Sequence, residues 1–147
     1  MKNKLYIAYG SNLNLKQMAY RCPKAKVIGA SELENWRLLF CGAHENAVAT
    51  IQPSEGDSVP VLLWRIMPSD EAALDRYEGY PFLYRKEMLE LPLKGKTVSA
   101  MAYIMNEGRP IGSPSPYYYT TILDGYKTAG FDESVLRKAT ERSMKCP

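Results

Sequence analysis

Histidine is almost missing from this chain, with His44 the one example in 147 residues. Cysteine is scarce as well: Cys22, Cys41 and Cys146 are odd in number, widely spaced and without a CxxC pair, which excludes a disulfide framework and a zinc knuckle and leaves reduced thiols in or near the core. A Cys41–His44 nucleophile and base has no cysteine-hydrolase signature around it, and a spacing of three along a strand sets the two on opposite faces. Long apolar runs are absent too. No stretch approaches the roughly 20 residues of a membrane span, and the apolar start at Leu5 breaks at Tyr9-Gly10-Ser11-Asn12, too early for a signal-peptide core. The expected location is therefore cytoplasmic, without membrane contact. Charge of one sign is not in excess either: 19 basic residues stand against 16 acidic ones, a net +3 mixed along the chain, where a nucleic-acid site would gather its basic residues in one patch. There is no internal repeat and no low-complexity tract.

What is present suits one packed domain spanning 1–147, with 46% hydrophobic residues to build its core. Lys4 to Ala8 reads as a first strand. Gly10-Ser11-Asn12 turns the chain into a short helix from Leu13 to Tyr20, stopped by Pro23. Val27 to Leu33 and Trp36 to Cys41 read as two strands. Ala47 to Gln52 and Val59 to Ile66 read as a hairpin across Pro53-Ser54-Glu55-Gly56-Asp57. Ser69 is expected to cap a helix that ends near Gly79. Tyr84 to Leu91 and Thr97 to Met105 form a second hairpin across Lys94-Gly95-Lys96, with a partly solvated face. A Gly-, Pro- and Ser-rich loop, 106–116, then leads to Ser115-Pro116, an N-cap and first-turn pair for a helix to about Ala129, stopped by Gly130. Asp132 caps a last helix. Early strands, hairpins and late helices predict an α+β domain with a mixed or self-closing sheet.

Two places invite chemistry. A strand running into Gly10-Ser11-Asn12 and then a helix gathers backbone amides, a hydroxyl and an amide around one concavity suited to a carboxylate, although the same residues also make an ordinary capped turn. Glu78 follows Leu74 and Tyr77 at i+4 and i+1, beside the apolar side of its helix and at the C-terminal end, where burial and the dipole both raise a carboxyl pKa toward neutrality. Pairing with Arg76 or Arg85 on the surface accounts for it equally well. Gly79 to Tyr84 and Tyr117-Tyr118-Tyr119 are aromatic groups, of which one or two phenols at most can face a ligand. Ser11 is not in a G-x-S-x-G elbow, so it is no hydrolase nucleophile.

Read together, these segments resemble the gamma-glutamylcyclotransferase family: Ile7-Ala8-Tyr9-Gly10-Ser11-Asn12-Leu13, then Ala49-Thr50-Ile51, Gly56-Asp57 and Val61-Leu62-Leu63-Trp64. Leu74-Asp75-Arg76-Tyr77-Glu78-Gly79, Tyr84 and Pro114-Ser115-Pro116 with Tyr118 follow in the family's order. The resemblance implies a small mixed β-barrel with surrounding helices. It implies a glutamyl-binding loop at Tyr9, Gly10, Ser11, Asn12 and Leu13, a catalytic Glu78, and site tyrosines at Tyr84 and Tyr118. The implied reaction is intramolecular acyl transfer of the carbon–nitrogen lyase class: a gamma-glutamyl substrate closes to 5-oxoproline and frees its amine, with no metal and no organic cofactor. A monomer or homodimer acting on a small molecule, without nucleic acid, is the implied setting. Tyr-Gly-Ser-Asn, in place of the Tyr-Gly-Thr-Leu of the gamma-glutamylamine cyclotransferases, favours gamma-glutamyl amino acids over gamma-glutamylamines. A non-catalytic binder of a small glutamyl-like ligand on the same fold is the alternative, separated from the enzyme by release of 5-oxoproline.

Overall fold

The computed structural model describes residues 3–43 and 45–145, with side chains through 142. His44 and Cys146 lie outside the described residues. Among the described residues five strands form one mixed sheet: β1 (Lys4–Ala8), β2 (Lys26–Cys41), β3 (Val48–Ile66), β4 (Tyr84–Leu93) and β5 (Lys96–Met105). Their order is β2-β3-β1-β5-β4. Short, apolar β1 occupies the centre, antiparallel to β3 (Ile7 opposite Leu63) and parallel to β5 (Tyr6 opposite Met101). Burial on both faces explains why it reads as an apolar run with no alternation.

The sheet curls until its two edges meet. Ser31 Oγ of β2 donates to the Pro92 carbonyl of β4. A Cβ placed on Gly29 would lie 2.8 Å from Leu93 Cδ1, so the absent side chain is what lets the edges approach. Side-chain contact, not a backbone ladder, thus closes the barrel-like shape.

The segment 47–66 differs from the expected hairpin. It is one long strand, and its partner throughout is β2. Likewise the two strands expected within 27–41 are one. Pro53 to Asp57 has turn composition, but the ladder resumes across it: Trp36 pairs with Pro53 and Glu34 with Ser58, so residues 54–57 bulge opposite Asn35 alone. Asn35 takes a left-handed φ of 67° and its Oδ1 accepts from the Gly56 N–H at 3.1 Å. A bulge and a turn use the same residues, and only the facing strand separates them.

Among the described residues four α-helices flank the sheet: α1 (Leu15–Arg21), α2 (Pro68–Glu78), α3 (Pro116–Ala129) and α4 (Ser134–Lys145). The expected helix from Leu13 is split into a 3-10 turn, Ser11–Leu13, and α1, because Asn14 caps α1 by accepting from Gln17 N at 3.1 Å. At α2 the cap is not Ser69. Met67 is the N-cap, and Asp70, three residues on, accepts from its N–H at 2.8 Å. Gly79 and Gly130 end α2 and α3 in the left-handed conformation, Ser115 caps α3, and the Asp132 carboxylate accepts from Ser134 N before α4. The β4–β5 hairpin turns through Lys94 and Gly95 with positive φ. The 106–116 loop is fastened to the end of β2, where Gly112 N donates to Phe40 O and Gly42 N to Pro110 O. Among the described residues no helix is long and apolar enough to cross a membrane.

Candidate active site

Strand β1 delivers Tyr9 to the end of the sheet, and the chain then turns at once. Leu13 N–H donates to Gly10 O and Asn14 N–H to Ser11 O, each at 3.0 Å, which closes the 3-10 turn and leaves the Ser11 and Asn12 amides at its open end. Beneath the turn, fully buried Leu13 packs on α3 at Gly125 and stays out of the cavity wall. A cavity opens above it, lined by Tyr6, Ile7, Tyr9, Gly10, Ser11, Asn12, Ala49, Glu78, Tyr84, Tyr103 and Tyr118. Every other residue singled out from the sequence as a site candidate therefore reaches one space, from four elements and the loop.

Glu78 is the carboxylate of that space. It is the last residue of α2, partly buried, and turned toward the phenols. No ion pair holds it among the described residues: Arg85 pairs with Glu87 at 2.6 Å instead. Burial pushes its carboxyl up to about 7, against the opposing pull of the Arg21 guanidinium. Asp75, one turn earlier, is engaged on the far side by Lys86 at 3.0 Å and by the Tyr103 hydroxyl at 2.6 Å.

Tyr84 and Tyr118 converge on one residue, Ala49. Tyr84 donates from its hydroxyl to Ala49 O at 2.5 Å, and the Ala49 N–H donates to the Tyr118 hydroxyl oxygen at 3.0 Å. Burial raises both phenol pKa values well above the ordinary range, so both are neutral near pH 7. Tyr9 donates to Tyr103 O at 2.5 Å. The Ser11 hydroxyl lies 2.9 Å from that of Tyr77. Gly10 admits close approach at the mouth, for a Cβ there would stand 3.1 Å from that of Ala49. Tyr6, Ala49 and Tyr103 were not singled out from the sequence as lining residues. Neither Tyr6 nor Tyr103 carries a signal in the sequence, and the β1–β5 pairing brings Tyr103 in from a distant part of the chain.

The cavity holds no candidate metal centre: among the described residues, no group of three His, Cys, Asp or Glu has ligating geometry. Cys22 is buried outside it, its Sγ 3.6 Å from Asp70 O and its thiol pushed up to about 11 by burial. That combination makes an inert thiol.

Comparison with known proteins gives the family of the chain. The human and mouse proteins named gamma-glutamylcyclotransferase are 31% identical over 137 residues (86% of this chain, 71% of the human one) and 30% identical over 145 residues (91% and 76%). A solved structure named gamma-glutamyl cyclotransferase superposes with a TM-score of 0.83 at 27% identity, over 94% of this chain and 86% of that one. The sequence profile described as "Gamma-glutamyl cyclotransferase, AIG2-like" matches residues 6–121, and the chain belongs to that family.

Proposed function

We propose that this protein is a gamma-glutamylcyclotransferase in which Glu78 moves the protons of the reaction, and that its substrates are gamma-glutamyl amino acids. The observation that carries this reading is a carboxylate without an ion pair, its pKa near 7, facing a phenol-lined cavity across from the 3-10 turn. The amides at the open end of that turn, with Gly10 and Ser11, suit the alpha-carboxylate and alpha-amine of a glutamyl group. Leu13 acts from below by fixing the turn, and Tyr9, Tyr84 and Tyr118 wall the bound chain. Asn12 presents the turn, its side chain already engaged by Tyr6 and Arg21.

Bound in a curled shape, the substrate brings its own alpha-amine to its gamma-carbonyl. A new carbon–nitrogen bond forms, the old amide bond breaks, and 5-oxoproline and a free amine result. Glu78 as carboxylate takes a proton from the attacking amine and returns it to the leaving nitrogen, so protons balance and no second reactant is needed. Holding the curled form supplies the effective molarity that makes ring closure fast. The reading also places the protein in the cytoplasm, where such small substrates are found.

A panel of gamma-glutamyl amino acids, amines and tripeptides tests the proposal by release of 5-oxoproline. The expected result is turnover of the amino acid derivatives that Glu78→Gln abolishes, with folding unchanged. Turnover by the Gln variant at the wild-type rate would remove Glu78 from its role, and preference for the amines would overturn the substrate assignment.

A further inference from the structure

Arg21, in the last turn of α1, lies outside the cavity yet touches both of the parts that must be held together to make it. Its Nη1 donates to Asn12 Oδ1 and its Nη2 to Gln17 Oε1 at 3.0 Å. The guanidinium lies over the ring of Tyr77, 3.4 Å from the centroid, and Tyr77 is the residue before Glu78. The contacts continue inward. Asn12, 3% exposed, donates from Nδ2 to the Tyr6 hydroxyl at 2.8 Å, and Tyr6 lines the cavity; the Tyr77 hydroxyl meets Ser11 Oγ at 2.9 Å. One side chain therefore ties the 3-10 turn to the C-terminal end of α2 by two routes.

We propose that Arg21 is a positioning residue of the reaction: it locks the Tyr9–Leu13 turn against the end of α2 that carries Glu78, and supplies the positive charge that the cavity wall itself lacks. The inference rests on Glu78 being the proton carrier. A planar guanidinium suits the place, since it forks to Asn12 and Gln17 while its carbon lies over the Tyr77 ring, which an ammonium cannot do. The groups facing Glu78 are Tyr6 and Tyr9 from β1 and its end, Tyr84 from β4, Tyr103 from β5 and Tyr118 from α3. Burial keeps Tyr6, Tyr9, Tyr84, Tyr103 and Tyr118 neutral near pH 7, so the guanidinium is the charge that favours the carboxylate form. Among the described residues Arg21 makes no salt bridge that would divert its charge.

The test measures kcat and KM for a gamma-glutamyl dipeptide from about pH 5 to about pH 9 in the wild type, Arg21→Gln, Arg21→Lys and Glu78→Gln, with thermal unfolding of each. Arg21→Gln is expected to move the acid limb of kcat/KM upward by about one pH unit, a roughly tenfold greater loss at acid pH than at alkaline pH, and to raise KM. Arg21→Lys is expected to bring the limb back near its wild-type position while KM stays high, because charge returns without the fork. An unmoved limb in Arg21→Gln, or a loss equal at every pH that tracks a lower Tm, overturns the proposal and leaves Arg21 a purely structural residue. If Arg21→Gln does not fold, Arg21→Lys decides: a wild-type KM overturns it. A fully active Glu78→Gln sinks the proton-carrier reading and this inference together, whereas an inactive Glu78→Gln beside an Arg21→Gln that matches the wild type sinks this inference alone.

Discussion

Glu78 combines two properties that surface carboxylates lack: partial burial among phenols and no ion pair among the described residues. Its burial-raised pKa of about 7 fixes the sign of the pH dependence. Only the ionised form accepts the amine proton, so kcat/KM should rise toward pH 7 and level off above it, and fall about tenfold per unit below. Initial rates across pH check this. Glu78→Gln should lose about 10²- to 10⁴-fold in kcat, the usual worth of a positioned acid–base group. Tyr118 illustrates a different use of a polar side chain. Its oxygen takes the Ala49 N–H, so Tyr118→Phe leaves that amide without its acceptor and should cost about 1–2 kcal/mol in denaturant unfolding. The pH limb should stay in place, since Tyr118 is neutral near pH 7 in the parent. The resemblance to the family pointed to Tyr118, but its target, a backbone amide near the start of β3, is legible only in three dimensions.

Between elements, the decisive contact is that of α3 with the 3-10 turn. A Cβ on Gly125 would lie 2.7 Å from Leu13 Cβ and 2.8 and 2.9 Å from its backbone C and O. Backbone cannot yield as a side-chain tip does, so Gly125→Ala must push the turn or α3 aside, at a cost of about 1–3 kcal/mol. Because the turn is the proposed glutamyl seat, KM should rise more than kcat falls; steady-state kinetics beside a melting curve would show whether the two effects separate. The helices themselves were well marked in the sequence. Ser115-Pro116, Gly79, Gly130 and Asp132 stand at the ends their local chemistry predicts. Asp70 takes the capping part expected of Ser69, and Asn14 caps α1 where the helix was expected to start at Leu13, since several residues near a helix start carry the right oxygen and small differences in backbone angle choose between them.

For the molecule as a whole, the site is maintained at some expense of stability. The native Glu78 carboxyl, at about 7, holds its proton more tightly than the unfolded one near 4.5. The folded state thus binds more protons in that interval, and stability falls as pH rises from about 4.5 to about 7. Above it the full penalty applies, about 2 kcal/mol once partial exposure is allowed for. Glu78→Gln removes a titrating group, so it should melt about 5 °C above the wild type at alkaline pH and show little difference near pH 4. A wild type and variant that melt alike at both pH values would contradict the raised pKa. The same curled sheet that places β1 at the centre brings Tyr6, Tyr9 and Tyr103 to one end, where the aromatic wall imposes this penalty.

The sequence by itself determined the class of the fold, the ends of most helices and the β4–β5 hairpin, because these rest on local propensity and linear spacing, while its resemblance to the family, motif by motif in order, pointed to Tyr9–Leu13, Glu78, Tyr84 and Tyr118. Only the tertiary structure decided that Pro53 to Asp57 is a bulge opposite Asn35, that Leu13 supports the turn from beneath, that Tyr6 and Tyr103 complete the cavity, and that Arg21 bridges the turn to the end of α2. The physical reason is common to all four. Each depends on which segment lies opposite, and pairing between residues distant in the chain leaves no periodicity for a linear reading to detect.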